Sequence, residues 1–290
     1  MSRVLEPDFV FRYARPPSNS LVTRAVSLHE NVRQVLGEAD YLTFLQGSYK
    51  NDTALAEMND VDVVVVSRQI KHTSWFRDYD WSKIFKEIEK RLDADQRYKG
   101  KWKRNDKCIT LSTNVNIDIV PAIFVEAPEK DPIRIFSFSA KQEKSNWPRM
   151  HYQNAVEKNG RTNGSFKPNV RLFKRWSKCH FRATKVAPSY FIECLLYGLP
   201  DKLFTGDLAV DFISLGREIC KRHDGGMFDT IPRIVGDGDL LNSTEWSNDK
   251  FRQFRGQLES SLHHAERAIK EPDLTDAKAA WRYAFAGYDS

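Results

Sequence analysis

Cysteine is scarce and scattered in this chain of 290 residues: Cys108, Cys179, Cys194 and Cys220 stand far apart, and no two form a Cys-x-x-Cys pair. That spacing excludes a zinc ribbon and a disulfide-stapled fold, and it suits a reducing compartment. Long apolar runs are lacking as well. No stretch approaches the roughly 20 residues that a membrane helix needs. The first twenty residues carry Glu6, Asp8, Arg12 and Arg15 where a signal peptide would have its apolar centre. The expectation is a cytoplasmic protein without a membrane span. Low-complexity tracts and internal repeats are also missing, which excludes fibrous and solenoid folds.

What is present is an ordinary globular composition, 41% hydrophobic and 12% aromatic, with a formal net charge of +6. The length allows one large domain or two smaller ones with their own cores. The positive charge favours anionic partners such as nucleotides and leaves nucleic-acid binding open.

The segment Leu45–Val66, LQGSYKNDTALAEMNDVDVVVV, organises the chain. Gly47-Ser48 forms a polar turn after the apolar approach Tyr41–Leu45. Val63–Val66 reads as a buried strand, because β-branched runs pack well on a pleat. Asp60 and Asp62 then share one face at its start. Two adjacent carboxylates repel unless a cation sits between them, and an oxygen-only corner of this kind suits Mg²⁺.

Upstream, residues 4–14 read as a short helix stopped by Pro16-Pro17. Ser18 or Ser20 caps a helix over Leu21–Leu36 that Gly37 ends. Its apolar stripe is Val22, Ala25, Val26, Val32, Val35 and Leu36, with His29 as a packed or hydrogen-bonded core-edge residue. Downstream, Asp80–Leu92 is an amphipathic helix, and Trp75-Phe76, Tyr79 and Trp81 pack against the sheet. The basic run Lys99–Lys107 reads as a solvated edge hairpin, with a phosphate or nucleic-acid contact as the alternative.

Cys108–Ser112 and Val115–Pro121 alternate apolar and polar residues across Thr113-Asn114, a hairpin pattern. Asp118 thereby falls inside a strand whose neighbours Ile117 and Ile119 face the core, a costly place for a charge unless it is solvated, paired or metal-bound. Ile133–Phe138 is one more strand. From Asn146 the pattern turns helical, with helices near 148–158, 168–182, 188–198, 206–223, 247–270 and 275–286. Asn248 and Thr275 are candidate caps, and Pro168 and Pro188 suit first turns. Asp237 and Asp239 repeat the Asp-x-Asp spacing without a following valine strand and read as loop. His263-His264 diverge by about 100° on a helix and read as surface residues.

Taken together, Gly47-Ser48-Tyr49 through Thr53, Asp60-Val-Asp62 and Asn116-Ile-Asp118-Ile-Val-Pro121 resemble the polymerase-β-type nucleotidyltransferases. More narrowly, the chain is similar to the CD-NTase family, the group of cyclic GMP-AMP synthase and the bacterial dinucleotide cyclases. Val170–Trp176 and Ala187–Leu196 resemble that family's two helices lining its cleft. The resemblance implies an α/β core with a mixed sheet over residues 1–145, a helical lobe over 146–290, and a cleft between them. It implies Asp60, Asp62 and Asp118 as catalytic carboxylates holding two Mg²⁺ ions, with Mn²⁺ as a substitute. Gly47 and Ser48 would receive the triphosphate, Lys174 and Ser189 would hold it from the helical lobe, and Tyr190 would stack on its base. The alternatives are a solvated cation for Lys174 and plain core for Tyr190.

One position departs from the family pattern. Asp52 precedes Thr53 where a small residue, often glycine, is expected. The Cys/His zinc insertion of the animal DNA sensor has no counterpart. The implied substrates are ATP, GTP or pyrimidine NTPs. The implied role is synthesis of a cyclic di- or trinucleotide second messenger in antiphage defence of the CBASS type, with a regulatory protein partner left open. Two rival functions remain: nucleotide addition to an RNA 3′ end, and a nucleotide- or RNA-binding module without turnover.

Overall fold

The computed structural model describes residues 4–57, 60–72, 79–184, 186–224, 231–235, 240 and 246–289, with the side chains of 222–224 left aside. Trp75, Phe76, Asp237 and Asp239 lie outside the described residues. The chain divides into two compact units, one of residues 17–152 and one that joins the N-terminal sixteen residues to residues 153–290.

The first unit is built on a sheet. Its strands are β1 (Tyr41–Gln46), β2 (Asp60–Lys71), β3 (Trp102–Arg104), β4 (Ile109–Leu111), β5 (Asn116–Phe124), β6 (Ile133–Ser137) and β7 (Gln142–Asn146). They run in the order β1-β2-β5-β4-β3, with β6 paired to β5 and β7 to β6. β2 and β5 are parallel and every other pair is antiparallel, so the sheet is mixed.

Alternation along the strands separates two faces. Val61, Val63 and Val65 of β2 and Ile117 and Ile119 of β5 point into the larger core. There they meet two helices, α2 (Asn19–Leu36) and α4 (Trp81–Ala94). Val64 and Val66 point the other way, to a smaller cluster with Ala122 and Ile133. All four valines from 63 to 66 are fully buried, and each contributes about 1.5–3 kcal/mol of apolar burial. This is the physical content of the predicted strand. β7 is the element that the apolar pattern missed: QEKSN carries no hydrophobic residue and, among the described strands, pairs only with β6.

Helix ends follow their caps. Ser18 accepts from the Leu21 N–H at the start of α2, and Asp80 accepts from the Ser82 N–H at the start of α4. Gly37 ends α2 with φ 80°. The stripe expected on α2 is corrected at two positions. Ala25, Val32 and Leu36 are buried, whereas Val22 and Val26 stand exposed at 40% and 51%. The period of the helix carries them toward the edge of its buried face. His29 does sit at the core edge, where its Nε2 lies 3.1 Å from Thr43 Oγ1 and burial lowers its pKa.

The second unit is helical. It contains α1 (Pro7–Phe11), a 3₁₀ turn over Arg12–Ala14, and the later helices α6 (Phe166–Phe181), α7 (Ser189–Tyr197), α8 (Leu208–Asp224), α9 (Asn248–Lys270) and α10 (Leu274–Ala284). The caps of the last two differ by a residue or two from the sequence reading. Ser247 and Asp273 accept the first-turn N–H groups, not Asn248 and Thr275. Tyr13 is buried with its ring 4.7 Å from Phe285 and 6.3 Å from Trp281, and the Ala14 carbonyl accepts from Arg171 Nε at 2.7 Å. Aromatic burial therefore ties the N-terminal turn to the helices and not to the sheet that follows it in sequence.

Candidate active site

Site geometry in the sheet unit begins with register. Gln46 of β1 pairs with Asp62 of β2, Asp62 with Asp118 of β5, Asp118 with Thr110 of β4, and Thr110 with Lys103 of β3. Residues in register share a face, so these five side chains form a row across the sheet. Asp60, two residues before Asp62, lies on the same face opposite Asn116. Neighbouring strands are about 4.8 Å apart, which makes Asp62 and Asp118 direct neighbours. The face opposite the larger core thus gathers the three carboxylates that the sequence singled out.

Their electrostatics follow. Burial pushes the half-buried Asp62 carboxyl up to about 7, and the charges of Asp118 and Asp60 add to the rise. Among the described residues no lysine, arginine or histidine forms an ion pair with any of the three. Two of them are instead held by neutral donors: Asn116 Nδ2 donates to Asp60 Oδ1 at 3.3 Å, and Thr110 Oγ1 donates to Asp118 Oδ1. Cys108 stands beside Thr110 with its thiol pushed up to about 11, chiefly by burial.

Uncompensated negative charge on an oxygen-only donor set is what a hard divalent cation neutralises. The residues therefore fit such an ion in charge and donor type. They do not form a ready cage. Among the described residues no group of three or more His, Cys, Asp or Glu is arranged to hold a metal.

The Gly-Ser turn meets this row directly. Gly47 opens a single helical turn, α3 (Gly47–Lys50), at φ 70°. A Cβ there would collide with Asp62 Oδ2 and stand 3.2 Å from Asp62 Cγ. Glycine is thus required twice, by the backbone angle and by the carboxylate against it. The carbonyl of the half-buried Ser48 accepts from the Thr53 N–H at 2.9 Å, which closes the turn on itself. Asp52, the residue out of pattern, adopts φ 57°. That left-handed angle explains why glycine is expected here, and aspartate is among the few other side chains that tolerate it.

Support comes from the start of α5 (Pro148–Arg161). Asn51 Nδ2 lies 3.2 Å from His151 Nε2, Lys50 Nζ stands 4.4 Å over the Tyr152 ring, and Arg149 stacks 4.2 Å over Phe44. Asn146 Nδ2 donates to Gln46 Oε1 at 3.1 Å, beside Asp62 in the row.

In the helical unit, Lys174 of α6 is buried and ion-paired with Glu193 of α7, which is equally buried. Ser189 is exposed at the first position of α7. Tyr190 is half-buried; its hydroxyl bonds the Cys194 thiol, and its pKa is raised, mainly by burial. Sequence reasoning missed Thr110, Asn116 and Glu193. Glu193 had left a signal: an acid inside the apolar run Phe191-Ile-Glu-Cys-Leu-Leu196 needs a buried cation.

Comparison with known proteins decides the family. The family model for the cGAS/DncV-like nucleotidyltransferase C-terminal helical domain matches residues 153–263. A cyclic UMP-AMP synthase of Rhodothermus marinus is 31% identical over 263 residues, covering 80% of this chain and 90% of the relative. The chain belongs to the CD-NTase family. A cyclic dipyrimidine nucleotide synthase, CdnE of Legionella pneumophila, is 29% identical over 234 residues, or 68% of this CD-NTase and 77% of the relative. The Rhodothermus marinus CdnE c-UMP-AMP synthase, solved with Apcpp and Upnpp, matches the structure with a TM-score of 0.71 at 25% identity, covering 88% of this chain and 96% of that one. The mixed sheet and the helical C-terminal domain are those of this family. No helix among the described residues is long and apolar enough to cross a membrane.

Proposed function

We propose that this CD-NTase joins ribonucleoside triphosphates into a cyclic di- or trinucleotide in a metal-dependent reaction. The observation that carries the reading is the row itself: Asp62 beside Asp118 on parallel strands, with the Gly47 turn closed against Asp62. Two Mg²⁺ ions, or Mn²⁺ in their place, would be held by Asp60, Asp62 and Asp118 and would neutralise charge on the triphosphate and on the entering and leaving oxygens.

The chain's own residues do the rest. The turn at Gly47-Ser48 lets backbone approach the triphosphate, and the Ser48 hydroxyl donates to a terminal phosphate oxygen. Asp118 Oδ2, the oxygen that Thr110 leaves, accepts the proton of the attacking ribose hydroxyl. The hydroxyl oxygen bonds to the α-phosphorus and pyrophosphate departs. One further such step closes a dinucleotide ring and two further steps close a trinucleotide ring, each releasing one pyrophosphate. Ser189 at the start of α7 suits a phosphate contact, since first-turn N–H groups point toward that end. Lys174 would contribute to the triphosphate by exchanging part of its bond to Glu193 for a phosphate oxygen, and Tyr190 would offer its ring to a base.

The two curated relatives described above are named for products containing a pyrimidine nucleotide, so UTP with ATP is the first pair to test. A second messenger of antiphage defence in the cytoplasm, under control of a protein partner, is the biological role that goes with this chemistry. Incubation with labelled NTPs and Mg²⁺ followed by phosphatase should leave a resistant product that Asp60→Ala abolishes. Lengthening of an RNA primer with no resistant product would favour 3′-end addition instead. Tight NTP binding without pyrophosphate release would favour a binding module.

A further inference from the structure

Ile109 and Leu111 of β4 are fully buried in the larger core. The residue between them must therefore face the carboxylates. That residue is Thr110, in register with Asp118. A threonine hydroxyl has one proton to donate and lone pairs to accept. Asn105 Nδ2 donates to Thr110 Oγ1 at 2.6 Å, and Thr110 Oγ1 donates to Asp118 Oδ1. An amide that occupies the acceptor side of the hydroxyl commits its proton to Asp118.

Asn105 is itself fixed. Its N–H donates to the Cys108 carbonyl at 2.8 Å and closes the β3–β4 turn, and Cys108 Sγ lies 3.9 Å from Thr110 Oγ1. The result is a directed chain from the turn to one carboxylate oxygen. Such a hold matters at this position. Asp62 is the next residue in the row, and mutual repulsion would rotate an unheld Asp118 away from it.

We infer that Thr110, oriented by Asn105, is a positioning residue that fixes the Asp118 carboxylate for its ligand and its proton. The inference rests on the proposed nucleotidyltransferase role of Asp118. Thr110 touches no reacting atom; it acts by holding one carboxylate oxygen so that the other faces the reaction. Outer partners of metal-binding side chains typically change affinity or activity by about 10–100-fold when removed.

The test compares the full chain with Thr110→Val, Thr110→Ser and Asn105→Ala, using free Mn²⁺ measured by electron paramagnetic resonance as the direct probe. Thr110→Val keeps the shape and loses the hydroxyl. It should weaken Mn²⁺ binding about 10-fold and lower kcat about 10–100-fold with the NTP KM unchanged. Thr110→Ser should return both to within about threefold of the wild type, and Asn105→Ala should fall between the two. Wild-type Mn²⁺ affinity and kcat in Thr110→Val would overturn the inference, as would a serine variant as impaired as the valine one. A wild type that binds no Mn²⁺ overturns it as well. A wild type that binds Mn²⁺ but forms no phosphodiester removes the proposed function alone, and the Mn²⁺ affinities still decide the role of Thr110.

Discussion

Asp62→Asn should stabilise the metal-free protein at alkaline pH while destroying the carboxylate that the proposed chemistry needs. The Asp62 carboxyl titrates near 3.8 when unfolded and is pushed up to about 7 in the folded chain, first by burial and then by Asp118 and Asp60. Between those values the folded state holds a proton that the unfolded state has released. Stability is then lost as pH rises from about 4 to 7, and the whole cost is present above 7. That rise corresponds to about 4 kcal/mol at most. Water reaches a half-buried carboxylate and screens it, which brings the expected cost to about 1–3 kcal/mol. Asparagine keeps the shape and does not ionise. In chelator at pH 8 the variant should melt roughly 3–9 °C above the wild type, and at pH 4 the two should coincide. Mg²⁺ should raise the melting temperature of the wild type at pH 8 and leave the variant nearly unmoved. A variant no more stable than the wild type at pH 8 would refute the claim that Asp62 carries uncompensated charge.

Other consequences concern the turn beside it. Gly47→Ala meets both the φ of 70° and Asp62, and should cost about 1–3 kcal/mol in chemical denaturation while abolishing product formation. Tyr49→Phe should raise stability by about 1 kcal/mol in the same assay, because the buried Tyr49 Oη has no hydrogen-bond partner among the described residues. Asp52→Gly should be neutral or slightly stabilising and Asp52→Val should cost about 1–2 kcal/mol, since only the latter strains the left-handed angle at this position.

Much of the sheet unit was legible because burial dictates residue type there. A valine run must be a strand in this context, and alternation alone put Asp60 and Asp62 on one face. The polar edge was not legible. β7 is held by backbone pairing with β6, and QEKSN shows no apolar period to betray it. Register was the subtler loss. A two-residue turn at Thr113-Asn114 would set Ile109 against Asp118, whereas the strands pair Thr110 with Asp118. One residue of slip reverses which side chains face the carboxylates, so the donor to Asp118 was hidden until the pairing was known.

In the helical unit the apolar periods gave the helices to within a few residues. They could not give the pairing of Lys174 with Glu193, which depends on how α6 meets α7. The N-terminal turn went unplaced for a related reason. Tyr13 is an aromatic without local context, and only the distant rings of Trp281 and Phe285 show where it belongs. Asp52 is the opposite case. It departs from the family pattern, and its backbone angle accounts for both the pattern and the tolerated exception.

The carboxylate row on β2 and β5 is proposed to synthesise a cyclic oligonucleotide. Mass spectrometry of the phosphatase-resistant material formed from ATP, UTP, GTP and CTP with Mg²⁺ tests it most directly. A product whose mass equals two or three nucleoside monophosphates less one water per linkage, present with the wild type and missing with Asp60→Ala, is the predicted result. Linear, phosphatase-sensitive products only, or the same product from both proteins, would contradict it.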